Sequence, residues 1–175
     1  GYVSLPIPTD WEILNKNVQK QINTFSEVLS DRDQSNNDIL IAANCYTTHT
    51  KPSATLRVSV RNKMPVQTQD EFSKVTTEEL DELAPIYQSQ SEAIDKKLRT
   101  KTKIISVTKS YIDGFAALKI YKRTIYKDSP SKYETLYIIP HDKYGTIKIM
   151  FTYAIKEEYF KDIIEYIENN IKIKK

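Results

Sequence analysis

The stretches Lys103-Ile-Ile-Ser-Val-Thr-Lys-Ser-Tyr-Ile112 and Phe115-Ala-Ala-Leu-Lys-Ile-Tyr-Lys-Arg-Thr-Ile-Tyr126, separated only by Asp113-Gly114, decide the fold. Both are rich in β-branched and aromatic residues, and Asp-Gly between two such runs is a strong hairpin signal. Working outward, Tyr133–Ile139 follows the turn Asp128-Ser-Pro130, and Thr146–Tyr153 follows the loop His141-Asp-Lys-Tyr-Gly145. Upstream, Thr55–Arg61 alternates cleanly: Leu56, Val58 and Val60 point one way, and Thr55, Arg57, Ser59 and Arg61 the other. Ile39–Tyr46 is continuous enough to be a buried strand. Val3–Ile7 is a short strand closed by Pro6 and Pro8.

Helical periodicity fills the gaps. A first helix begins near Lys16, with Val18, Ile22, Phe25 and Leu29 along one face. Thr68-Gln-Asp-Glu71 and Thr76-Thr-Glu-Glu79 are both capping boxes, so the middle of the chain holds a short helical piece and then a longer one running to Leu98. Pro85 lies inside that longer piece and predicts a kink or break there. Glu157–Ile171 closes the chain with the apolar stripe Phe160, Ile163, Ile164, Ile167 and Ile171. No internal repeat or linker interrupts the pattern. The expectation is one domain over residues 1–175, of class α+β, with a mainly antiparallel sheet of about six strands flanked by helices.

Composition excludes whole classes. The chain has 175 residues, 39% hydrophobic and 28% charged, enough for a single globule that buries roughly 70% of its unfolded surface. One cysteine rules out a disulfide framework, and 3 Gly with 7 Pro rule out collagen-like and low-complexity chains. No apolar run approaches the ~18 residues of a membrane span. The net charge is only +3, yet residues 100–155 hold ten basic and four acidic side chains. Those lysines are spread among tyrosines without a basic run, which points away from a nucleic-acid surface.

The search for catalytic motifs is nearly empty. G-x-G-x-x-G, P-loop, G-x-S-x-G, H-E-x-x-H and C-x-x-C are all missing. Cys45 and His49 could pair as thiol and imidazole, but Cys45 sits in the apolar run Ile39-Leu-Ile-Ala-Ala-Asn-Cys45, which favours a buried, inert thiol. His141 falls in a loop. Asp31-Arg-Asp33-Gln-Ser35 begins like a calcium loop but has Asn36 at position six and Ala42 at position twelve, so a solvated turn is expected. No cofactor, metal or catalytic residue is assigned.

What remains is a surface. Seven of the twelve tyrosines lie in residues 100–155. With Leu118 and Ile120 facing the core, Lys119, Tyr121 and Arg123 take the opposite face, and Tyr133, Tyr137 and Ile139 share a face on the next strand. If these adjoin Arg57 and Arg61, the sheet presents a basic, aromatic face, and Tyr and Arg are favoured interface anchors. Arg57, Arg61, Lys119, Tyr121, Arg123, Tyr133 and Tyr137 are therefore the candidate partner-binding residues.

The opening Val3-Ser-Leu-Pro-Ile-Pro-Thr-Asp-Trp11, with its Pro8-x-x-Trp11, resembles the entry of the PsbP-like and DcrB-like proteins. The order of elements is similar too: strands, central helix, hairpin strands around Asp113-Gly114, and a last strand running into a closing helix. The resemblance implies an antiparallel sheet between helices and, in function, a non-enzymatic accessory subunit, envelope lipoprotein or adaptor-chaperone for secreted proteins. It brings no catalytic residues. The expectation is an exported, periplasmic or envelope-associated module, compatible with a lipid anchor upstream of Gly1, that binds a protein partner through a sheet face. The alternatives are an adaptor holding an apolar helix, a small hydrolase with an unseen site, and a cytoplasmic location.

Overall fold

The structure is a computed structural model, and it describes residues 2–30, 37–47, 50–62, 65 and 67–175. The calcium-like segment 31–36 and His49 lie outside the described residues. The hairpin forms as its sequence predicts: β5 (Lys101–Ile112) and β6 (Phe115–Ile125) pair antiparallel from Ile112↔Phe115 to Lys101↔Ile125. Asp113 and Gly114 make the turn with φ of 50° and 84°, the left-handed conformations that Asp tolerates and Gly accepts freely. β7 (Lys132–His141) and β8 (Gly145–Ala154) continue the meander. β4 (Ala54–Arg61) joins β8, β3 (Asn37–Cys45) joins β4, and the two-residue β2 (Glu12–Ile13) joins β3. The result is an all-antiparallel sheet of seven strands in the order β2-β3-β4-β8-β7-β6-β5, one more than expected. The extra strand is β2, too short to carry a periodicity of its own.

Both sheet faces are covered, by different helices. On one face α5 (Phe160–Asn169) buries Phe160, Ile164 and Ile167, with Ile171 just beyond it, on Leu56, Val58, Ile147, Ile149, Phe151 and Ile139. Burying each such side chain stabilises the fold by about 1.5–3 kcal/mol. Trp11, turned by its N–H bond to Pro8 (3.0 Å), packs edge-on against Phe160 on the same side. On the other face the second cluster gathers Phe72, Leu80, Val107, Leu118 and Ile120 under α2 (Gln69–Ser73), α3 (Thr77–Asp81) and α4 (Leu83–Leu98). α1 (Lys16–Ser30) lies beside β3, and Lys97 of α4 reaches the carbonyls of Val28 and Leu29.

The expected break in the central helix is displaced. Both capping boxes form, but the chain breaks at Glu82, between α3 and α4, and Pro85 sits in the first turn of α4. A first-turn proline surrenders no helical hydrogen bond, so it is compatible with a continuous α4. The N-terminal strand is also shorter than predicted. β1 (Val3–Ser4) pairs with β9 (Lys172–Ile173) in a separate ribbon that ties the two ends of the chain together.

That ribbon is clamped to the hairpin turn. The Asp113 carboxylate accepts from the Ile173 N–H (2.8 Å) and from Lys172 Nζ (3.1 Å). These bonds, the Ile173 N–H foremost, hold its pKa below the ordinary 3.8. A depressed carboxylate pKa contributes stability that is present above 3.8 and is lost as pH falls through the folded-state value. The Ile173 amide is expected to lose hydrogen-exchange protection on acidification below 3.8. Asp113→Asn, which keeps the left-handed turn, should remove that dependence. Protection that stays flat through this window in the native chain would show that Asp113 does not hold the ribbon.

Candidate functional site

Strand register sorts the seven candidate residues onto two faces. Lys119 lies opposite Tyr137, Tyr121 opposite Thr135, and Arg123 opposite Tyr133, so these five candidates share the α5 face. In β4 it is Leu56, Val58 and Val60 that match Phe151, Ile149 and Ile147 on that face. Arg57 and Arg61 therefore point the other way, and the seven residues do not form one continuous surface. The alternation within each strand is as read; the expected adjoining of β4's arginines to the β6 and β7 residues is not.

Arg57 is built into the fold. Its guanidinium donates to the carbonyls of Ala43 (2.7 Å) and Leu56 (2.8 Å) and to Asn44 Oδ1 (2.6 Å), while Asn44 donates to the Tyr46 hydroxyl. Burial lowers its pKa to about 10. Arg61 is exposed at the end of β4, opposite Thr146. Tyr137 is also withdrawn from the surface. It is 2% exposed beneath α5, with its hydroxyl bonded to Glu168. Tyrosine suits an exposed strand face and a covered one equally well, so alternation alone could not distinguish them.

The remaining candidates gather around a groove of about 570 Å³ between α5 and the β5–β6 margin of the sheet. Lys119 and Tyr121 line its floor with Thr135 and Tyr153; Ser106 and Thr108 of β5 form one wall, and Lys161, Glu165 and Glu168 of α5 the other. Lys119 Nζ lies 5.2 Å from the centroid of the Tyr137 ring, a cation–π contact. Tyr121 stacks on Tyr133 (5.4 Å between centroids, 22° between planes), and Tyr133 leans on Tyr153 at 5.5 Å. Burial, followed by its hydrogen bond to Tyr153, pushes the Tyr121 hydroxyl pKa well above the ordinary 10.0. Arg123 is exposed next to this tyrosine stack, opposite Tyr133. The α5 contribution, Lys161 and Glu165 above all, was missed by the sequence reading. Its only signal was that these residues fall off the apolar stripe of the closing helix.

The other polar sites are already engaged. Cys45 is buried 4.0 Å from Asp10, and burial, then Asp10, then Glu157 raise its thiol pKa, the opposite of nucleophile activation. His141 Nδ1 accepts from the N–H groups of Lys143 and Tyr144, and Nε2 lies 3.0 Å from the Lys174 carbonyl, so both ring nitrogens serve the fold. A cavity of about 470 Å³ beside His141 is lined by Gln69. The Gln69 amide is bonded to Ala116 and Pro140.

Searches against family models and curated protein sequences match nothing. Among solved structures, the chain superimposes on cyanobacterial PsbP (CyanoP) from Synechocystis sp. PCC 6803 with a TM-score of 0.58 at 8% identity, covering 99% of this chain and 87% of that one. The fold is PsbP-like. At this identity the likeness establishes the fold alone, and nothing among these matches bears on the DcrB-like half of the resemblance. Two weaker similarities carry no argument. A Bacteroides thetaiotaomicron VPI-5482 protein (TM-score 0.49, 10% identity) is covered over 46% of its length against 99% of this chain. LpqN, involved in cell envelope biogenesis of Mycobacterium tuberculosis (TM-score 0.48, 14% identity), is covered over 83% against 99% of this chain.

Within the PsbP-like frame, Glu168 makes the groove's chemistry measurable. Burial raises its carboxyl pKa above the ordinary 4.5, while Lys119 and the Tyr137 hydroxyl oppose the rise. A raised carboxyl pKa contributes stability present below 4.5 and lost as pH climbs through the folded-state value. Tyr137→Phe removes a donor to the charged form. It should move the Glu168 titration, followed by carbon NMR, further up and cost about 1 kcal/mol of stability at neutral pH. A Glu168 titration that stays put or moves down would show that Tyr137 does not donate to it.

Proposed function

We propose that this chain is a non-catalytic binding module that holds a protein partner in the groove between α5 and the β5–β6 margin, in an exported or envelope-associated setting. The observation that carries the reading is the convergence of Lys119, Tyr121 and Lys161 on one groove, with the Tyr121–Tyr133–Tyr153 stack supporting its floor. Aromatic rings fixed by stacking lose little entropy on binding, and the half-buried Lys119 with the exposed Lys161 adds orientation through charge. The exported setting rests on the PsbP-like resemblance.

The lining weighs against the two rivals. Ile164 is the one aliphatic side chain among the groove's lining residues, which is poor solvation for an apolar helix. A cysteine hydrolase would need a thiolate, and the burial of Cys45, with Asp10 and Glu157 beside it, disfavours one.

Lys119→Glu combined with Lys161→Glu tests the groove, since neither side chain belongs to the apolar core. The domain and its double variant are used as bait against soluble and envelope fractions of the source cell, with a thermal melt confirming that both are folded. Partner recovery is expected to fall by about tenfold in the variant, as loss of a desolvated charge contact would produce. Undiminished recovery would remove the groove as the binding site.

A further inference from the structure

Strand register sets two cations against each other at the end of the sheet remote from the Asp113-Gly114 turn. Lys103 of β5 lies directly opposite Arg123 of β6, on the α5 face, and both side chains are exposed. Like charges directly across a ladder destabilise it, so the fold itself does not favour this pair. Another cation sits where the backbone disfavours it. α4 ends on Arg99, with φ of 54° and ψ of 44°, the left-handed cap conformation that glycine or asparagine adopts more readily. Lys101, opposite Ile125, lies between the two features along the chain.

The segment Lys96-Lys-Leu-Arg-Thr-Lys-Thr-Lys103 carries five cations and no carboxylate. Lys97 reaches back to the carbonyls of Val28 and Leu29 at the end of α1. The described carboxylates nearby in sequence or across the sheet are engaged or outnumbered. Asp95 accepts from Thr100 and Thr102, Glu92 accepts from Gln88, and Glu134 pairs with Lys122 at 2.7 Å; Asp128 stands exposed beside Lys127. Among the described residues, Lys96, Arg99, Lys101, Lys103, Arg123 and Lys127 take part in no ion pair.

Aliphatic side chains stand among these cations. Leu98 is 39% exposed and Ile125 44%, and neither belongs to a core cluster. Leu98 lies between Lys97 and Arg99 in the chain, and Ile125 is the cross-strand partner of Lys101. That mixture selects the occupant. A dissolved anion or a nucleic-acid backbone would use the positive charge and gain nothing from the exposed aliphatic groups. An anionic lipid surface uses both: phosphate headgroups meet the lysines and arginines, and the apolar boundary beneath them accepts the aliphatic chains.

We infer that this end of the sheet, the α4 C-terminus with the adjoining ends of β5 and β6, docks on an anionic lipid surface, with Leu98 and Ile125 entering the interface between the cations. The inference goes beyond the groove and does not depend on it.

The test is co-sedimentation of the full chain with vesicles of phosphatidylcholine alone and of phosphatidylcholine mixed with phosphatidylglycerol. Binding should be at least about tenfold stronger to the anionic vesicles and should weaken as salt is raised. Arg123→Glu sets a carboxylate against Lys103. It should weaken anionic-vesicle binding by about tenfold or more while the thermal melt stays at least as high, a combination that loss of folding would not produce. Leu98→Ser with Ile125→Ser keeps the charge and should weaken binding by about tenfold. Anionic-vesicle binding that this double variant retains in full would mean that charge alone is read, as by a surface for nucleic acid or free phosphate, and would overturn the lipid inference. Equal binding to both vesicle types, or binding to neither, would overturn it as well.

Discussion

Helix α5 sets Phe160, Ile164 and Ile167 on the inward-facing side chains of β4, β8 and β7, and the arrangement of the remaining elements depends on that seating. A seven-stranded sheet is roughly 29 Å wide at about 4.8 Å per strand spacing, whereas one helix with its side chains is about 10–12 Å across. A single helix can therefore roof the middle of the sheet but not its margins. Toward β3 and β2 the uncovered strip is filled by the N-terminal segment, with Val3, Leu5, Ile7 and Trp11 packed into the same core. Toward β5 and β6 none of the described segments fills it, and the helix flank stands over Lys119, Tyr121, Ser106 and Thr108 as one wall of a groove.

The same seating explains why the tyrosines serve different ends. Tyr137, directly under α5, is buried and uses its hydroxyl to hold Glu168. Tyr121 on β6 and Tyr133, four residues from Tyr137 along β7, keep part of their rings accessible and stack in sequence toward Tyr153. Cations divide by face: Lys119 belongs to the groove, while Arg57 is spent on three acceptors from β3 and β4.

Much of this was legible in the sequence because it is local. The Asp113-Gly114 turn, both capping boxes, the alternation of β4 and the α5 stripe each depend on residues a few positions apart, and each formed as read. The relation between β4 and β6 was not legible, since it depends on two long-range registers, β4 on β8 and β8 on β7. A shift of one residue in either would move Arg57 to the other face. The burial of Tyr137 was illegible for a related reason: with helices on both faces, alternation identifies two sets of side chains without saying which lies under a helix. Pro85 shows the converse, a strong local signal whose effect vanished once the helix began only two residues earlier, at Leu83.

The edge of β5 shows how one inserted residue changes the phase of a strand. Before the bulge, Gln88 and Asp95 match the period of the outward backbone groups and satisfy Thr102 and Ile104 together. After it the phase changes by one residue, so α4 could not continue that pattern along the strand even if it ran further. The bulge also brings Ser106 and Thr108 onto the α5 face, where their small side chains leave the groove open; Ile104, before the bulge, packs on the opposite face. A single insertion therefore lines the groove wall with small side chains and changes which backbone groups face away from β6.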